Sequence, residues 1–278
     1  MMKETVDTLG NQKKMNYALR ADMTKEEFIK EVTDGLLPPP KYFPLNVKMN
    51  KEGYDDISEV LDRGTTALSP KAFETAANET GELVLDVRHQ DDFITGHIPR
   101  SIFIGLNGDF APWVGTLIAD TEQPLLLITP EGQEEETITR LSRVGFDGAI
   151  GYLAGGFEAW KKAGMDYDTI TSLPAEKVKE NINTKKVPVF DVRKVGEYQS
   201  EHIVDAYHAP LSMLNDHLVN FPKDETFYVL CAGGYRSVIA ASILKSRGFH
   251  NLIDLAGGYE ELKKKGVEVT NYVCPTTL

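Results

Sequence analysis

Short runs of consecutive apolar residues recur along the chain, and within them apolar residues do not alternate with polar ones. Four of these runs are LVLDV from Leu83, LLLIT from Leu125, VPVFDV from Val187 and FYVLC from Phe227. Continuous apolar runs of this length are typical of strands buried on both faces of a parallel sheet. Segments with a helical pattern lie between them. Strands that alternate with helices predict an α/β fold, with an open parallel sheet covered by helices on both faces.

Several of the intervening segments carry clear helix signals. In SVIAASILKSRG, the apolar residues at helical spacing are Val238, Ile239, Ile243 and Leu244. This segment predicts an amphipathic helix that stops at Gly248. SPKAFETAAN and LPAEKVKENIN predict two further helices with a proline in the first turn, where its missing N–H does no harm.

The first 66 residues follow a different pattern. Thr24 and Glu27 form a capping-box motif, which predicts a helix that ends at Gly35. The next stretch, LLPPPKYFPLNVKMNKEGYDD, is rich in proline and predicts an extended segment. We interpret it as a connecting arm packed on a neighbour; the alternative is a proline-rich recognition motif.

Two parts of the chain are similar to each other, and this repeat sets the predicted domain count. LVLDVRHQDDFITGHI aligns with VPVFDVRKVGEYQSEHI through the pairs Asp86/Asp191, Val87/Val192, Arg88/Arg193, Phe93/Tyr198, His97/His202 and Ile98/Ile203. LAGGFEAWKKAG likewise matches LAGGYEELKKKG. The repeat predicts an N-terminal arm at residues 1–66, a first domain at 67–170 and a second domain at 171–278.

Composition and charge narrow the function classes. The chain has 278 residues, of which 41% are hydrophobic and 26% charged, as in an ordinary soluble protein. Its apolar runs are too short to span a bilayer, and MMKETVDTLGNQKK lacks the apolar segment of a secretory signal, so we expect a cytoplasmic protein. A net charge of -12 without a basic run disfavours nucleic acid and membrane surfaces as partners.

Cysteine usage points away from disulfides and metals. The two cysteines, Cys231 and Cys274, cannot form a disulfide framework, and no Cys/His cluster has the spacing of metal ligands. We therefore expect free thiols and neither a metal site nor another cofactor.

Cys231 ends the apolar run FYVL and precedes a predicted helix, in the stretch LCAGGYRSV. Ligands of parallel sheets bind at the carboxyl ends of the strands. Ala232, Gly233 and Gly234 are small enough for the loop amides to curl toward the sulfur as an anion-binding nest, at the positive end of the helix dipole. Arg236 would close this ring with a permanent charge and favour the thiolate. The pattern fits nucleophilic sulfur or phosphorus chemistry; the alternative is that Cys231 is a small core residue.

Three other side chains are candidates around this loop. Tyr235 and Ser237 flank Arg236 and are predicted to contact the substrate at the rim and at the start of the helix. Cys274, four residues from the C-terminus, is predicted either to resolve a persulfide on Cys231 or to have no role.

Taken in order, these motifs resemble a rhodanese domain: DVRxxxEY from Asp191, HI at His202, the CAGGYRS loop and LAGGY from Leu255. The resemblance covers both copies. It implies a sulfurtransferase in which Cys231 accepts a sulfane sulfur from thiosulfate or a persulfide and passes it to a thiol or to cyanide. Related phosphatases have one more residue between the cysteine and the arginine, so the loop length disfavours a phosphatase or arsenate reductase.

The first copy departs from the pattern. In PLLLITPEGQEEE, Ile128 or Thr129 takes the cysteine position, and Glu134, Glu135 and Glu136 replace the arginine region. No thiolate forms there, and carboxylates repel an anion. The first copy therefore resembles an inactive rhodanese, whose predicted role is to pack against the active copy or to position it.

The N-terminal arm adds a second resemblance. NYALR, MTKEEF and PPPKYFP resemble the end of the metallo-β-lactamase-fold domain in bacterial persulfide dioxygenase fusions, where an inactive and an active rhodanese follow. The motif H-x-H-x-D-H is missing from this sequence, so the iron site and dioxygenase activity cannot be carried over. The resemblance implies a metallo-β-lactamase-fold dioxygenase partner, and an exposed apolar face in its place would favour self-association.

Residues that both copies share are interpreted as structural, because one copy lacks a nucleophile. The histidines are predicted to form hydrogen bonds, and the aspartate and arginine after each strand to form ion pairs. The shared residues are His97, His202, Asp86, Arg88, Asp191 and Arg193, and Glu197 and Tyr198 are assigned to the same structural set. The sequence thus predicts a sulfurtransferase with one active site; the alternative is a non-catalytic docking or sulfur-carrier module for a dioxygenase domain.

Overall fold

A computed structural model of the chain describes residues 6–19, 22–34, 42–79 and 82–274. The chain divides into two compact units, residues 1–39 and 40–278. Within the described residues, no helix is long and apolar enough to cross a membrane.

The smaller unit contains two short α-helices. α1 is Leu9–Met15 and α2 is Lys25–Thr33, with a 3-10 helix at Tyr17–Leu19 between them. The predicted capping box is confirmed: the Thr24 hydroxyl accepts from the Glu27 amide at 3.2 Å, and the Thr24 amide donates to the Glu27 carboxylate at 2.8 Å. α2 ends at Thr33, and the predicted stop at residue 35 lies outside the described residues.

The segment predicted to be extended is largely helical where it is described. α3 is Phe43–Glu52, with Pro44 in its first turn. A proline there costs no helical hydrogen bond, so the prediction from proline content was wrong for these residues. Leu45 and Met49 lie one turn apart and press on Gly145 of the first domain so closely that a Cβ there would clash with both. The triple proline itself, at residues 38–40, lies outside the described residues.

α4, Ile57–Gly64, also packs on the first domain. Val60 is 1% exposed and belongs to the core of that domain. Gly64 lies against Ile138 and Ala149, where a Cβ would have no room. The boundary between the compact units therefore lies before α3, and α3 and α4 belong to the larger unit.

The larger unit contains two five-stranded sheets, and every paired strand in them is parallel. The strands are β1 (Ala67–Leu68), β2 (Leu83–Asp86), β3 (Ile102–Phe103), β4 (Leu125–Ile128), β5 (Ala149–Leu153), β6 (Ser172–Pro174), β7 (Val189–Asp191), β8 (Tyr207–His208), β9 (Phe227–Leu230) and β10 (Leu252–Ala256). The strand order is β1-β5-β4-β2-β3 in one sheet and β6-β10-β9-β7-β8 in the other. The two orders are equivalent, which confirms the repeat and the predicted α/β fold.

Helices follow the strands as predicted. They are α5 (Pro70–Glu79), α6 (Gln90–Thr95), α7 (Phe110–Leu117), α8 (Glu134–Ser142), α9 (Gly156–Lys162), α10 (Ala175–Asn183), α11 (Val195–Ser200), α12 (Leu214–His217), α13 (Tyr235–Ser246) and α14 (Gly258–Lys264). Pro70 is the first residue of α5, as expected, whereas Pro174 caps α10 from one position before it.

α13 is buried on all sides, which corrects the prediction that it is amphipathic. Every residue from Ser237 to Leu244 is buried. One face packs on its own sheet, and the other meets the first domain, where the Phe103 amide donates to the Ser242 hydroxyl at 3.0 Å. Lys245 forms a 3.0 Å ion pair with Asp168 on the same boundary. The first domain packs on the side of α13 that faces solvent in an ordinary surface helix. Buried residues therefore lie on every side of α13.

Candidate active site

Cys231 lies at the carboxyl end of β9, immediately before the loop that leads into α13. β9 is flanked by β7 and β10, so the cysteine leaves the sheet near its centre. The thiol is free and the residue is only 1% exposed. This is the edge of a parallel sheet at which ligands bind.

The loop after Cys231 presents one of its amides to the sulfur. The Gly234 N–H donates to Sγ at 3.1 Å. Gly234 has a φ of +108°, which a side chain would make unfavourable, so glycine is required for this turn. Gly233 lines the cavity above the sulfur, and the Ala232 carbonyl accepts from the Glu260 amide at 3.4 Å. Of the three residues whose amides were predicted to face the sulfur, Gly234 is the one whose amide contacts it.

The LAGGY motif supports the cysteine loop from the adjacent strand. The Tyr259 amide donates to the Cys231 carbonyl at 2.7 Å. Gly258 has a φ of +60°, and a Cβ on it would lie 2.3 Å from the Cys231 carbonyl oxygen. The motif was visible in the sequence as a repeat, but its contact with the cysteine was not predicted.

Arg236 is paired with a carboxylate. Its two terminal guanidinium nitrogens donate to Glu197 at 2.6 and 2.8 Å. This ion pair holds the pKa of Glu197 below its usual range and raises the pKa of Arg236. Arg236 also interacts electrostatically with Cys231, but the structure gives it a counter-ion that the sequence-based picture of a free positive charge lacked.

Glu197 therefore belongs to the site, although its pattern predicted a structural role. It lies on α11 and is half-buried. The first domain has Asp92 at the equivalent position. Only the copy with the cysteine has a glutamate at this position. That difference was the signal that could have identified Glu197.

A cavity of about 550 Å³ opens above the sulfur. The residues that line it are Asp109, Trp113, Lys194, Glu197, Cys231, Gly233, Tyr235 and Arg236. The first two come from the first domain: Asp109 precedes α7, and Trp113 lies within it. α7 packs against the 3-10 helix Leu211–Met213 of the second domain, which brings these side chains to the cavity. Sequence reasoning missed both residues, because nothing near them in the chain signals chemistry.

Tyr235 connects the site to the first domain. Its hydroxyl donates to the Gly105 carbonyl at 2.7 Å, and its ring packs edge-on against Phe103. Burial raises the pKa of this hydroxyl. Tyr235 lines the cavity, and the structure adds a role in holding the two domains together.

Ser237 lies behind the sulfur. The sequence-based expectation was that it contacts the substrate at the start of the helix. It is fully buried at the first turn of α13. The Cys231 thiol donates to its hydroxyl at 3.6 Å, and that hydroxyl donates to the Gly234 carbonyl at 3.1 Å. Its side chain therefore reaches the sulfur from inside the protein.

The corresponding loop of the first domain has lost this chemistry. Asp86 of β2 pairs with Ile128, as Asp191 of β7 pairs with Leu230, so Thr129 takes the cysteine position. Glu134 then takes the position of the arginine. The Glu134 carboxylate accepts from the Thr129 hydroxyl at 3.2 Å and from the Gly132 amide at 3.3 Å. A carboxylate of the loop itself therefore occupies the place where an anion would bind.

The aspartate that ends β2 or β7 forms an ion pair with the arginine two residues later in each domain, as predicted. Arg193 donates to Asp191 at 2.6 Å and to the Glu201 carbonyl at 2.9 Å, and its guanidinium stacks on Tyr259. The equivalent residues of the first domain are Asp86, Arg88, Gly96 and Phe157. Each pair fixes the chain that follows its strand.

The repeated histidines have the structural contacts predicted for them. His202 Nδ1 donates to the Tyr198 carbonyl at 2.7 Å, and the ring stacks on Tyr198. His97 repeats this arrangement on Phe93, at 2.9 Å. Burial lowers the pKa of His97 to about 4.

Cys274 lies on the C-terminal segment beside α11 and is exposed. The Ser200 hydroxyl donates to the Val273 carbonyl at 2.6 Å, and the Val273 amide donates to the Ser200 carbonyl at 2.8 Å. Cys274 is not among the described residues that line the cavity above Cys231. Within the described part of the chain, no group of three or more His, Cys, Asp or Glu side chains could hold a metal ion.

Comparisons with known proteins match both domains. The family described as Rhodanese-like domain matches residues 69–163 and 174–265. The thiosulfate sulfurtransferase GlpE of Coxiella burnetii (strain RSA 331 / Henzerling II) is 30% identical over 99 residues, which are 36% of this chain and 90% of GlpE. The putative sulfur carrier protein YrkF of Bacillus subtilis (strain 168) is 27% identical over 94 residues, 34% of this chain. The match spans 51% of YrkF, about half its length.

Solved structures with the same family names are also similar. A rhodanese-related protein from Thermoplasma volcanium is 31% identical, with 36% of this chain and 97% of that chain covered and a TM-score of 0.33. A thiosulfate sulfurtransferase from Pseudomonas aeruginosa is 22% identical, with 75% of this chain and 44% of that chain covered and a TM-score of 0.34.

Proposed function

This chain belongs to the rhodanese-like family, and we propose that it is a sulfurtransferase that carries sulfur as a persulfide on Cys231. The observation that carries the proposal is the cysteine loop of the second domain. It sets a buried thiol against the Gly234 amide, beside Arg236, at the floor of an open cavity. The first domain serves as the wall of this cavity through Asp109 and Trp113.

The proposed reaction has two displacement steps. The Cys231 thiolate attacks the sulfane sulfur of thiosulfate or a low-molecular-weight persulfide, and the S–S bond of the donor breaks to release sulfite or a thiolate. The outer sulfur of the resulting persulfide is then attacked by a thiolate or by cyanide, and the Cys231 thiolate leaves. Neither step changes the total number of electrons.

The loop supplies what these steps need. The negative charge on the sulfur lies near the Gly234 N–H, at the beginning of the twelve-residue helix α13, whose positive dipole end favours an anion. Arg236 contributes further positive potential, moderated by Glu197. The charges that line the cavity are balanced: Lys194 and Arg236 are positive, and Asp109 and Glu197 are negative.

Intact-mass spectrometry before and after treatment with thiosulfate or glutathione persulfide tests the proposal. We expect a gain of about 32 Da, one sulfur atom, that cyanide or a thiol removes. The gain should persist in Cys274→Ser and disappear in Cys231→Ser. A gain that follows Cys274, or no gain with either donor, contradicts the proposal.

A sulfur-carrier module is the second candidate, favoured by the similarity to the putative sulfur carrier YrkF. In that case Cys231 would load with sulfur but would pass it on only to a docked partner, such as a metallo-β-lactamase-fold dioxygenase. Loading without turnover to thiol or cyanide, together with copurification of a stable partner, would favour the carrier over the enzyme.

A further inference from the structure

A group of two serines and one aspartate behind the cysteine occurs in the second domain only. Ser172 of β6 pairs in register with Asp254 of β10, and Ser237 of α13 lies between Asp254 and the sulfur. The equivalent residues of the first domain are Ala67, Tyr152, Glu135 and, for the cysteine, Thr129. The first domain has neither a serine nor an aspartate at these positions, so the group Ser172, Asp254 and Ser237 accompanies the cysteine.

Asp254 is buried and incompletely paired. It is 1% exposed, and its Oδ2 accepts from the Ser172 hydroxyl at 2.7 Å. Its other oxygen, Oδ1, has no hydrogen-bond partner among the described residues. The Ser237 hydroxyl is close enough to interact with the carboxylate but does not complete a hydrogen bond of normal geometry to Oδ1. An unpaired carboxylate oxygen in the interior is costly, so its presence requires an explanation.

Ser237 is placed to connect this carboxylate with the nucleophile. The Cys231 S–H already points to the Ser237 oxygen, and the Ser237 O–H points to the Gly234 carbonyl. Rotation about the Ser237 C–O bond turns that hydrogen away from the Gly234 carbonyl and toward the Asp254 carboxylate. A shift of the Ser237 side chain toward Asp254 then completes a continuous chain of the three groups.

We propose that Asp254 accepts, through Ser237, the proton that Cys231 loses when it becomes a thiolate. The S–H bond of Cys231 breaks as the Ser237 oxygen takes its proton, while the Ser237 O–H bond breaks and a new O–H bond forms on Asp254. The negative charge moves from the carboxylate to the sulfur, and the total charge is unchanged. This inference rests on the proposed function, in which the thiolate is the attacking species. Because Asp254 acts through Ser237, it is a positioning residue.

The surroundings of Asp254 give it a high proton affinity. Burial raises the pKa of Asp254 to about 6, and the Asp91 carboxylate on α6 raises it as well, against the opposing effect of the Ser172 and Ser237 hydroxyls. Its partner on β9 is the apolar Val229. A base with a pKa just below neutral is ionised at pH 7 and still accepts a proton readily.

Alkylation of the cysteine by iodoacetamide, an uncharged reagent, tests the relay without any sulfur donor. In a Cys274→Ser background Cys231 is the only cysteine, and its rate of alkylation is followed by intact mass from pH 5 to 9. We expect Asp254→Asn and Ser237→Ala each to lower the rate constant at pH 7 about tenfold and to shift the profile to higher pH. The double variant should be no slower than either single variant. Ser242→Ala, a buried serine on the same helix, is the matched control and should leave the profile unchanged.

An Asp254→Asn profile that coincides with that of the parent protein would overturn the inference, as would effects that multiply in the double variant. Circular dichroism checks folding; if Asp254→Asn does not fold, the profile of Ser237→Ala decides. Since alkylation needs no sulfur donor, a parent protein that gains no sulfur refutes the proposed function, whereas an unshifted alkylation profile refutes the relay alone.

Discussion

The loops after β4 and β9 have the same place in the fold and opposite chemistry. Each loop follows the central strand of its sheet. The third residue after Thr129 or Cys231 is a glycine, with a φ of +79° at Gly132 and +108° at Gly234. In the loop after β9, the Gly234 amide donates to the Cys231 thiol. In the loop after β4, the equivalent Gly132 amide donates to the Glu134 carboxylate. The fold therefore supplies an anion-binding turn twice, and the side chains decide whether an external anion can use it.

The support beneath the two loops also differs. Gly258 and Gly156 are equivalent and share a φ of +60°. A Cβ on Gly258 would lie 2.3 Å from the Cys231 carbonyl oxygen, whereas a Cβ on Gly156 would lie 3.8 Å from the Thr129 carbonyl oxygen. The loop of the second domain is thus held more closely. The first domain, although it lacks a thiol in its loop, contributes Asp109 and Trp113 to the cavity and contacts Tyr235.

Transfer of the thiol between the loops is expected to have the largest effect. In a Cys231→Ser, Cys274→Ser background, Thr129→Cys should take up no sulfur, because the Glu134 carboxylate occupies the loop and repels an anionic donor. Adding Glu134→Arg should restore measurable uptake. Intact mass after thiosulfate treatment measures both. Uptake by the Thr129→Cys variant without the second change would show that the charge at residue 134 is not what silences the loop.

Breaking the Arg236–Glu197 pair should have the next largest effect. Arg236→Met leaves the half-buried Glu197 carboxylate unneutralised in the cavity that Cys231 also lines, and we expect sulfur transfer to fall about a hundredfold. Glu197→Gln combined with Arg236→Met should be less damaging than Arg236→Met alone. Steady-state kinetics measures this, with Arg140→Met, which breaks an Arg–Glu pair in the first domain, as the control. Equal losses in the single and double variants would contradict the role of Glu197.

The paired glycines separate backbone strain from contact with the loop. Gly156→Ala should lower the free energy of unfolding by about 1–2 kcal/mol, through its left-handed conformation alone. Gly258→Ala should cost about 2 kcal/mol more, because its Cβ meets backbone that cannot move freely, and it should also slow sulfur uptake. Urea denaturation and mass spectrometry measure the two effects. Equal destabilisation of both variants would show that the close contact is relieved at no cost.

Two buried groups should make the domains respond oppositely to pH. His97 has a folded-state pKa of about 4, below its usual value of 6.5, so its contribution to stability is lost as pH falls from 6.5 toward 4. Asp254 has a folded-state pKa of about 6, above its usual 3.8, so its contribution is lost as pH rises through 6. Each contribution is on the order of 3 kcal/mol.

Chemical denaturation between pH 4 and 8 measures these contributions. His97→Gln should flatten the loss of stability in acid, and Asp254→Asn should stabilise the protein at pH 8 relative to pH 4. A parallel pH dependence of the parent protein and both variants would show that these two groups do not set it.

The smallest expected effect concerns the contact between the domains. Tyr235→Phe removes the hydrogen bond to the Gly105 carbonyl and should lower the free energy of unfolding by about 1 kcal/mol. Tyr228→Phe, which removes a hydroxyl contact with Asn181 inside the second domain, is the matched control. Calorimetry should show the two domains unfolding less cooperatively in Tyr235→Phe only. An identical change in both variants would mean that the contact does not couple the domains.

Local patterns could be read correctly because they depend on neighbours in sequence. Continuous apolar runs predicted the buried strands, and Thr24 with Glu27 predicted the cap of α2. The order of the motifs predicted two equivalent domains, and the spacing of Cys231 from Arg236 predicted the loop. The proline content misled at α3, because a proline in the first turn is compatible with a helix.

Contacts between distant residues could not be read in this way. The sequence by itself determined the duplicated parallel sheets, the cysteine at the end of β9 and the loss of the nucleophile in the first copy, since these follow from hydrophobic periodicity and residue type. Only the tertiary structure decided that Glu197 neutralises Arg236, that Trp113 and Asp109 reach the cavity, and that α13 is buried on both sides. Pairing and burial depend on which surfaces meet when the two domains pack, and that information is spread over the whole chain rather than held in any one motif.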